Sequence, residues 1–364
     1  MKKLLLAATV ATLAMNAAQA APTLYGKLNV TLDNIDNNGF EDESVIKVNS
    51  NASRIGVKGE EKLTDNLSAV YLAEWEISAD GDGDVFKNRN RFVGVKSAGV
   101  ATLKVGQYDS YFKTAAGNNQ DIFNDHNELD MTAVLAGEDR LKNVIGFETD
   151  KKLLGGLAFN IMFQQGEESE AANSKAKGYE GSRDGFGDGV SASLTYENKD
   201  MGLAAAVAAN RAIASKFNAY SDLTGIYTDA VRVTGSLDLG AMGASGLVLG
   251  ALWQTAQPTD DTVTVTKGTP AVVTSYKGLQ EDAFGVTAAY AIPSTPVKLK
   301  AQYISATTEV DGMKDRQQDL YGVGADYQIN KQARFYGIVA QQKRDWLTKD
   351  DKKTTIGLGM EYNF

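Results

Sequence analysis

The feature that most constrains this chain is an alternation of apolar and polar residues that recurs along almost its whole length. Leu28, Val30 and Leu32 occupy every second position in the segment 24–33, and polar residues stand between them. Side chains two positions apart lie on the same face of a β-strand, so each such segment predicts a strand with one apolar and one polar face. Apolar residues at helical spacing are rare after the first 20 residues. The pattern therefore predicts an all-β fold.

Sixteen segments carry this alternation, and the connections between them alternate between long and short. The predicted strands are 24–33, 53–61, 67–78, 89–97, 102–109, 141–150, 157–167, 189–198, 203–213, 228–239, 246–257, 282–292, 297–309, 318–329, 334–345 and 354–364. The connection 110–140 is the longest, whereas 98–101 and 293–296 are short turns. An even number of antiparallel strands, with short turns at one rim and long extracellular loops at the other, is typical of a transmembrane up-and-down β-barrel.

The placement of the prolines supports a closed sheet. A proline cannot donate to a strand ladder, and a closed barrel has no free edge that would tolerate one. A sheet that crosses lipid must also close, because unpaired backbone groups are costly there. Sixteen strands enclose a water-filled lumen rather than a packed core. All five prolines lie outside the predicted strands: Pro22, Pro258, Pro270, Pro293 and Pro296.

The first 20 residues predict a secretory signal peptide. A basic start is followed by an apolar run and by the small-residue site Ala18-Gln19-Ala20. This order is typical of exported bacterial proteins. We expect cleavage after Ala20, which leaves a single barrel domain over residues 21–364.

The last segment, "TTIGLGMEYNF", predicts a strand that runs to Phe364. We expect this strand to pair with the first one and so close the barrel. Tyr362 and Phe364 share the apolar face of the strand. This pair is similar to the terminal signature of bacterial outer-membrane barrels, which the barrel-assembly machinery recognises.

Composition excludes several classes of function. The chain has no cysteine, so it has neither disulfides nor thiolate metal sites, and its single histidine is His126. One imidazole in a polar loop is weak support for a catalytic triad or a metal centre. The formal charge of −9 disfavours nucleic acid as a partner. We expect no enzymatic activity, no metal and no cofactor.

Four segments in order, "LYGKLNVTLDN", "SRIGVKGEEKL", "NRFVGVK" and "GLGMEYNF", resemble the general porins of Gram-negative outer membranes. The pattern is nearest to the porins of marine gamma-proteobacteria. The resemblance implies a homotrimer of sixteen-stranded barrels in which the third loop folds into the lumen. It also implies contact with lipopolysaccharide and outer-membrane lipid.

The same resemblance implies which residues line the pore constriction. Lys27, Arg54 and Arg89 stand where the family places a basic wall, Arg91 shares the strand face of Arg89 by parity, and we expect Arg140 to add a further charge. The acidic side would come from the third loop, 110–140. Its candidate constriction acids are Asp121, Asp125, Glu128 and Asp130. The Pro-Glu-Phe-Gly-Gly motif of enteric members is missing. The resemblance therefore does not identify which acid lies at the narrowest point.

These observations predict a porin for passive diffusion of small hydrophilic solutes and ions, with weak cation selectivity. The acids of the third loop slightly outnumber the basic residues of the wall, which favours cations. One alternative is a channel specific for one substrate, and another is a barrel that acts mainly as an adhesin or receptor. A barrel enzyme and a soluble secreted β-protein fit the sequence less well.

Overall fold

The structure is a computed structural model that describes residues 22–83, 86–117, 119–167, 178–179, 182–267 and 271–364. The predicted signal peptide, residues 1–20, lies outside these ranges. Within them, no helix has the length and apolar character needed to cross a membrane. The helices described are α1 (Tyr111–Thr114) and three 3-10 turns, Asn38–Phe40, Met131–Ala133 and Leu239–Met242.

The described residues form nineteen strands. They are β1 (Thr23–Asp36), β2 (Val45–Ser50), β3 (Arg54–Lys62), β4 (Leu67–Glu76), β5 (Lys87–Ser97), β6 (Ala101–Asp109), β7 (Arg140–Thr149), β8 (Leu157–Gln164), β9 (Gly189–Asn198), β10 (Leu203–Lys216), β11 (Thr224–Asp238), β12 (Leu247–Pro258), β13 (Thr262–Lys267), β14 (Val272–Lys277), β15 (Gln280–Ala291), β16 (Val297–Glu309), β17 (Arg316–Gln328), β18 (Ala333–Arg344) and β19 (Lys352–Asn363).

Antiparallel pairing closes these strands into one barrel. Each barrel strand pairs with its neighbours in the chain, and β19 pairs with β1 from Lys27↔Asn363 to Asp36↔Thr354. Both β2 and β3 pair with β1, so they form one barrel strand that is interrupted at residues 51–53. The predicted sixteen-stranded barrel is therefore confirmed.

Two pieces of strand were not predicted. β2 lies within a segment that the sequence assigned to a loop, and the hairpin β13–β14 forms a separate two-stranded sheet in the connection after β12. Pro258 is the last residue of β12 rather than the first residue of a loop. A proline is tolerated there because the ladder ends at that residue.

The two faces of the barrel wall invert the usual order of a soluble protein. On β1, Leu24, Leu28 and Leu32 point outward and are 60%, 41% and 54% exposed, whereas Asn29 and Thr31 between them are buried. The same exposed apolar positions recur around the ring, for example on β6, β9 and β19. An apolar outer band around a polar interior is the pattern of a barrel that sits in lipid.

The third long connection, 110–139, folds into the lumen. It leaves β6 through α1, whose N-cap Ser110 accepts a hydrogen bond from the Lys113 amide. Inside the barrel its apolar side chains pack against the inner wall. Leu129 and Met131 are buried in one cluster with Ile304 and Leu320 of the wall. The predicted inward fold of this loop is confirmed.

Candidate pore constriction

Polar side chains of the wall fasten the third loop to one side of the lumen. The amides of Gln302, Gln318 and Gln342 donate to loop carbonyl oxygens over 2.7, 3.0 and 3.2 Å. Because a buried carbonyl without a partner is costly, this row of donors fixes the path of the loop. On β11, Arg232 is fully buried and pairs with Glu138 of the loop. The loop therefore closes the side of the lumen that faces β11, β12 and β15–β18.

The opposite side stays open as a cavity of about 880 Å³ between the loop and the inner wall of β1 and β3–β7. Charged side chains of both signs line it. The basic residues are Lys27, Arg54, Arg89, Lys113 and Arg140. The acidic residues are Glu74, Glu76, Asp109, Asp125 and Asp130. The lining is thus balanced in formal charge.

Asp125 is the acid of the loop that meets the basic wall. Its carboxylate lies 2.5 Å from the Lys27 ammonium and 2.7 Å from the Arg54 guanidinium, and the Arg89 guanidinium is 4.0 Å away. Burial alone would raise the pKa of Asp125, but the positive charges of Arg54 and Lys27 lower it below its ordinary value. Asp125 is therefore ionised at neutral pH and faces the three basic residues that the sequence predicted.

Two further groups extend this network along the wall. Arg89 also binds Glu74 over 2.7 Å and Glu76 over 3.3 Å. Arg140 lies 3.1 Å from Asp109, and Lys113 of the loop lies 3.6 Å from the same carboxylate. The wall residues Glu74, Glu76 and Asp109 were not predicted as constriction residues, although the inward parity of Glu74 and Glu76 on β4 is visible in the sequence.

The other predicted acids of the loop occupy different surroundings. Glu128 pairs with Lys353 over 2.6 Å and does not line the open cavity. Burial, with the charges of Asp130 and Glu138 nearby, raises the pKa of Asp121 well above its ordinary value. Asp130 lines the cavity and caps a 3-10 turn by accepting from the Thr132 amide. Of the four, Asp125 and Asp130 present carboxylates to the open passage.

Arg91 lies on the other side of the wall from the place that parity predicted. The ladder between β4 and β5 skips a residue, with Ala73 opposite Arg91 and Trp75 opposite Asn88. This bulge reverses the alternation, because one extra residue on a strand shifts every later side chain to the opposite face. The next residue, Phe92, packs inward against the cluster that contains Tyr108. Arg91 therefore faces outward, with Gln107 as its hydrogen-bond partner at 3.0 Å.

The terminal aromatics lie on the outer face at the closing seam. The backbone of Phe364 exchanges two hydrogen bonds with Gly26 of β1, over 2.9 and 3.0 Å. The Phe364 ring covers Gly26 so closely that an added Cβ would lie 2.3 Å from it. Tyr362 is stacked beside Phe364, and both rings are about two-fifths exposed. Both residues are thus accessible from outside the barrel.

The site supports permeation rather than bond chemistry. His126 also lines the cavity, but its Nδ1 accepts from the Glu128 amide and its Nε2 is buried without a hydrogen-bond partner. Within the part of the chain that the structure describes, no group of three His, Asp or Glu residues is arranged to hold a metal. A charged, water-accessible passage lined by fixed ion pairs is suited to hydrophilic solutes.

Comparisons with known proteins agree with this geometry. The profile of the family described as Gram-negative porin matches residues 6–346. The chain is 25% identical to the major outer membrane protein P.IB of Neisseria sicca over 100% of both chains. It is 31% identical to the protein of that name from Neisseria meningitidis serogroup B, over 48% of this chain and 53% of that protein.

Solved structures with the same fold are similar over nearly the whole chain. An anion-selective porin from Comamonas acidovorans has a TM-score of 0.69 at 18% identity, covering 95% of this chain and 100% of that one. The trimer form of OmpT from Vibrio cholerae has a TM-score of 0.63 at 17% identity, covering 95% and 99%. The narrower resemblance to porins of marine gamma-proteobacteria stays a prediction.

Proposed function

This chain belongs to the Gram-negative porin family, and from that premise we propose that it passively conducts small hydrophilic solutes and ions with a weak preference for cations. It is a channel protein of the outer membrane of a Gram-negative bacterium and not an enzyme. The observation that carries the proposal is the open cavity between the third loop and the basic wall, with Asp125 set against Lys27 and Arg54.

The balanced charges that line the cavity support a weak preference. Basic and acidic side chains are equal in number there, and most of them are paired. A passing ion then meets opposite charges at similar distances, and their effects on it largely cancel. The narrow part of the passage is therefore expected to discriminate little between small cations and anions.

The excess of acidic residues in the long loops at the rim supports a preference for cations. The connection 37–44 carries three acids and no base, and 345–351 carries three acids against Lys349. Acidic residues also outnumber basic ones in the described parts of 77–86, 165–188, 217–223 and 310–315, whereas the described parts of 259–279 carry two of each. A mouth with an excess of negative charge concentrates cations, and salt screens this effect.

A salt series tests the selectivity. The reversal potential of the purified protein in a planar bilayer is measured across a KCl gradient near 0.01 M, where the screening length is about 30 Å, and near 1 M, where it is about 3 Å. We expect a K⁺ preference at low salt that nearly vanishes at high salt. The variant Lys349→Gln, which removes a cation from the same rim, is the control of opposite sign and should strengthen the preference. A Cl⁻ preference at low salt would overturn the proposal.

We also propose that the protein is a homotrimer. A groove of about 630 Å³ on the outer wall is lined by two cations, Arg91 and Lys142, by one acid, Glu167, and by apolar residues that include Val105 and Ile145. Among the described residues, neither cation has a carboxylate partner. The acidic connection 77–83 of a neighbouring copy has the charge to fill this groove. The trimer form of the similar OmpT barrel supports the same assembly.

The remaining partners belong to the same proposal. The exposed apolar band would contact outer-membrane lipid and lipopolysaccharide. Tyr362 and Phe364 would serve as the signal that the barrel-assembly machinery reads, since both rings stay accessible on the closing strand. The signal peptide over residues 1–20 completes the export route.

A further inference from the structure

Two arginines at the long-loop rim are held by stacking on aromatic rings. The Arg344 guanidinium lies 4.1 Å from the ring centre of Phe40 and 5.6 Å from that of Trp346. The Arg316 guanidinium lies 3.9 Å from the ring of Tyr220 and 5.5 Å from the same Trp346. One tryptophan is therefore shared by two cations, and we call these five residues the rim cluster.

The rim cluster faces the inside of the mouth. Arg344 is directly opposite Gln318 in the ladder between β17 and β18, so both side chains are on one face. Gln318 reaches into the lumen, where its amide donates to Ala133 of the third loop. Arg316 is two positions before Gln318 on β17 and shares that face. The two guanidiniums thus lie on the lumen side of the wall, nearer the long-loop rim than the third loop, and both residues are partly exposed.

The hydrogen-bonding edges of both guanidiniums are largely unused. Among the described residues, Arg344 has no carboxylate partner, and its Nε is buried without a hydrogen bond. Arg316 donates one hydrogen bond, from Nη1 to the Ala219 carbonyl over 2.8 Å. Stacking occupies the faces of a guanidinium and leaves its in-plane N–H groups free to bind an oxyanion in bidentate fashion.

Two cations that have no carboxylate partner among the described residues are unusual for this rim. Acidic residues predominate in the loops around it, yet two of the nearby carboxylates are engaged elsewhere. Asp345 accepts from the Gln317 amide over 2.7 Å, and Asp222 accepts from the Tyr276 hydroxyl over 2.7 Å. Two stacked cations, with N–H donors that the described residues leave largely unused, have the chemistry to bind a complementary anion.

The surrounding loops hold the rim cluster in place. Phe40 has a left-handed backbone with a φ of 65°, which bulky residues seldom adopt, at the end of a 3-10 turn. The preceding Asn37 secures this turn to the last loop by donating to the carbonyls of Asp350 and Lys352 over 2.8 and 2.6 Å. The ring that covers Arg344 is therefore fixed by hydrogen bonds between two loops.

We propose that the rim cluster is a binding site for small soluble oxyanions, such as phosphate or a carboxylate, which the forked edges of Arg316 and Arg344 bind from the external solution. The site is on the inner wall of the mouth, which selects a free solute over the headgroup of a membrane lipid. This inference goes beyond passive conduction, because binding is measurable in detergent whether or not the pore is cation-selective.

Tryptophan fluorescence of the folded barrel in detergent provides the test. Trp346 is one of three tryptophans in the chain and touches both guanidiniums. Titration with sodium phosphate or sodium succinate should change the emission saturably, whereas sodium chloride at equal ionic strength should not. The variant Trp346→Phe should lose most of the signal. A response equal to that of chloride would overturn the proposal.

Three variants separate binding from loop packing. Replacing both arginines by glutamine should weaken binding at least tenfold, whereas Lys349→Gln, which removes a mostly exposed cation from the same rim, should weaken it only slightly. Replacing both arginines by lysine keeps the charge but removes the planar guanidinium, which can bind an oxyanion through two N–H groups. Undiminished binding by this lysine variant would overturn the proposal. Heat-modifiable mobility in gels confirms that each variant is folded. A cluster that only joins the loops would give no saturable response in the unmodified chain.

Discussion

The substitution Asp125→Asn tests the charge balance of the constriction. It removes the carboxylate that lies 2.5 Å from Lys27 and 2.7 Å from Arg54, and it leaves a side chain of nearly the same size. Five basic residues would then face four acidic ones around the open cavity. The narrow passage becomes net positive, and we expect selectivity to shift toward anions.

The size of the shift follows from the distances. A unit charge about 4 Å from an ion in water contributes about 1 kcal/mol, and salt reduces this contribution. The change acts in opposite directions on K⁺ and Cl⁻, and 1.4 kcal/mol corresponds to a factor of about ten. We therefore expect the ratio of K⁺ to Cl⁻ permeability to fall roughly threefold to tenfold at low salt.

The reversal potential across a KCl gradient measures this ratio directly. Asp121→Asn is the matched control, because Asp121 belongs to the same loop but does not line the open cavity. Its substitution should therefore affect a passing ion much less. The reasoning is refuted if Asp125→Asn leaves the ratio unchanged, or if Asp121→Asn shifts it equally. Unaltered heat-modifiable mobility of both variants excludes a general loss of structure.

Three further substitutions test other parts of the account. Phe364→Asp should sharply lower the amount of assembled barrel in the outer membrane while export continues, and Phe364→Tyr should not; normal levels of the aspartate variant would count against the assembly role. Arg91→Glu should weaken the trimer in native gels, whereas Arg211→Glu, also exposed on the outer wall, should not. Burial raises the pKa of Asp139 to about 7. The folded chain therefore retains a proton there that the unfolded chain releases near pH 4. Because the folded state then binds more protons, stability falls as the pH rises from about 4 to 7. Asp139→Asn should flatten this part of the dependence of thermal unfolding on pH, and an unchanged slope would contradict it.

The barrel could be predicted from the sequence because each strand has lipid on one side and water on the other. Its apolar and polar residues must therefore alternate. Alternation alone located fifteen of the sixteen barrel strands to within a few residues, and of the strand formed by β2 and β3 it located only the β3 part. β2 was missed because residues 51–53 interrupt its strand, and an interrupted strand resembles a loop that precedes a shorter strand. The hairpin β13–β14 lies outside the barrel. Its residues have no lipid on one side, so they need not alternate between apolar and polar.

The constriction was readable only in part. Lys27, Arg54 and Arg89 could be assigned because regular strand parity and the family resemblance agree on them. Arg91 could not, because the bulge opposite Ala73 and Trp75 reverses parity without any marker in the sequence. The choice among the loop acids depends on where an irregular loop folds, and alternation carries no information about such a loop. The stacked arginines of the rim cluster likewise join loops that are far apart in the chain.

The central claim is that the third loop narrows a water-filled pathway at Asp125. The chain has no cysteine, so the single thiol of Asp125→Cys can be modified with a bulky, water-soluble reagent while single-channel current is recorded. We expect modification of this variant to reduce the current in steps. The matched variant Val95→Cys, on the lipid-facing side of the wall, should show no change. An undiminished current through Asp125→Cys channels whose modification is verified by mass would contradict the account.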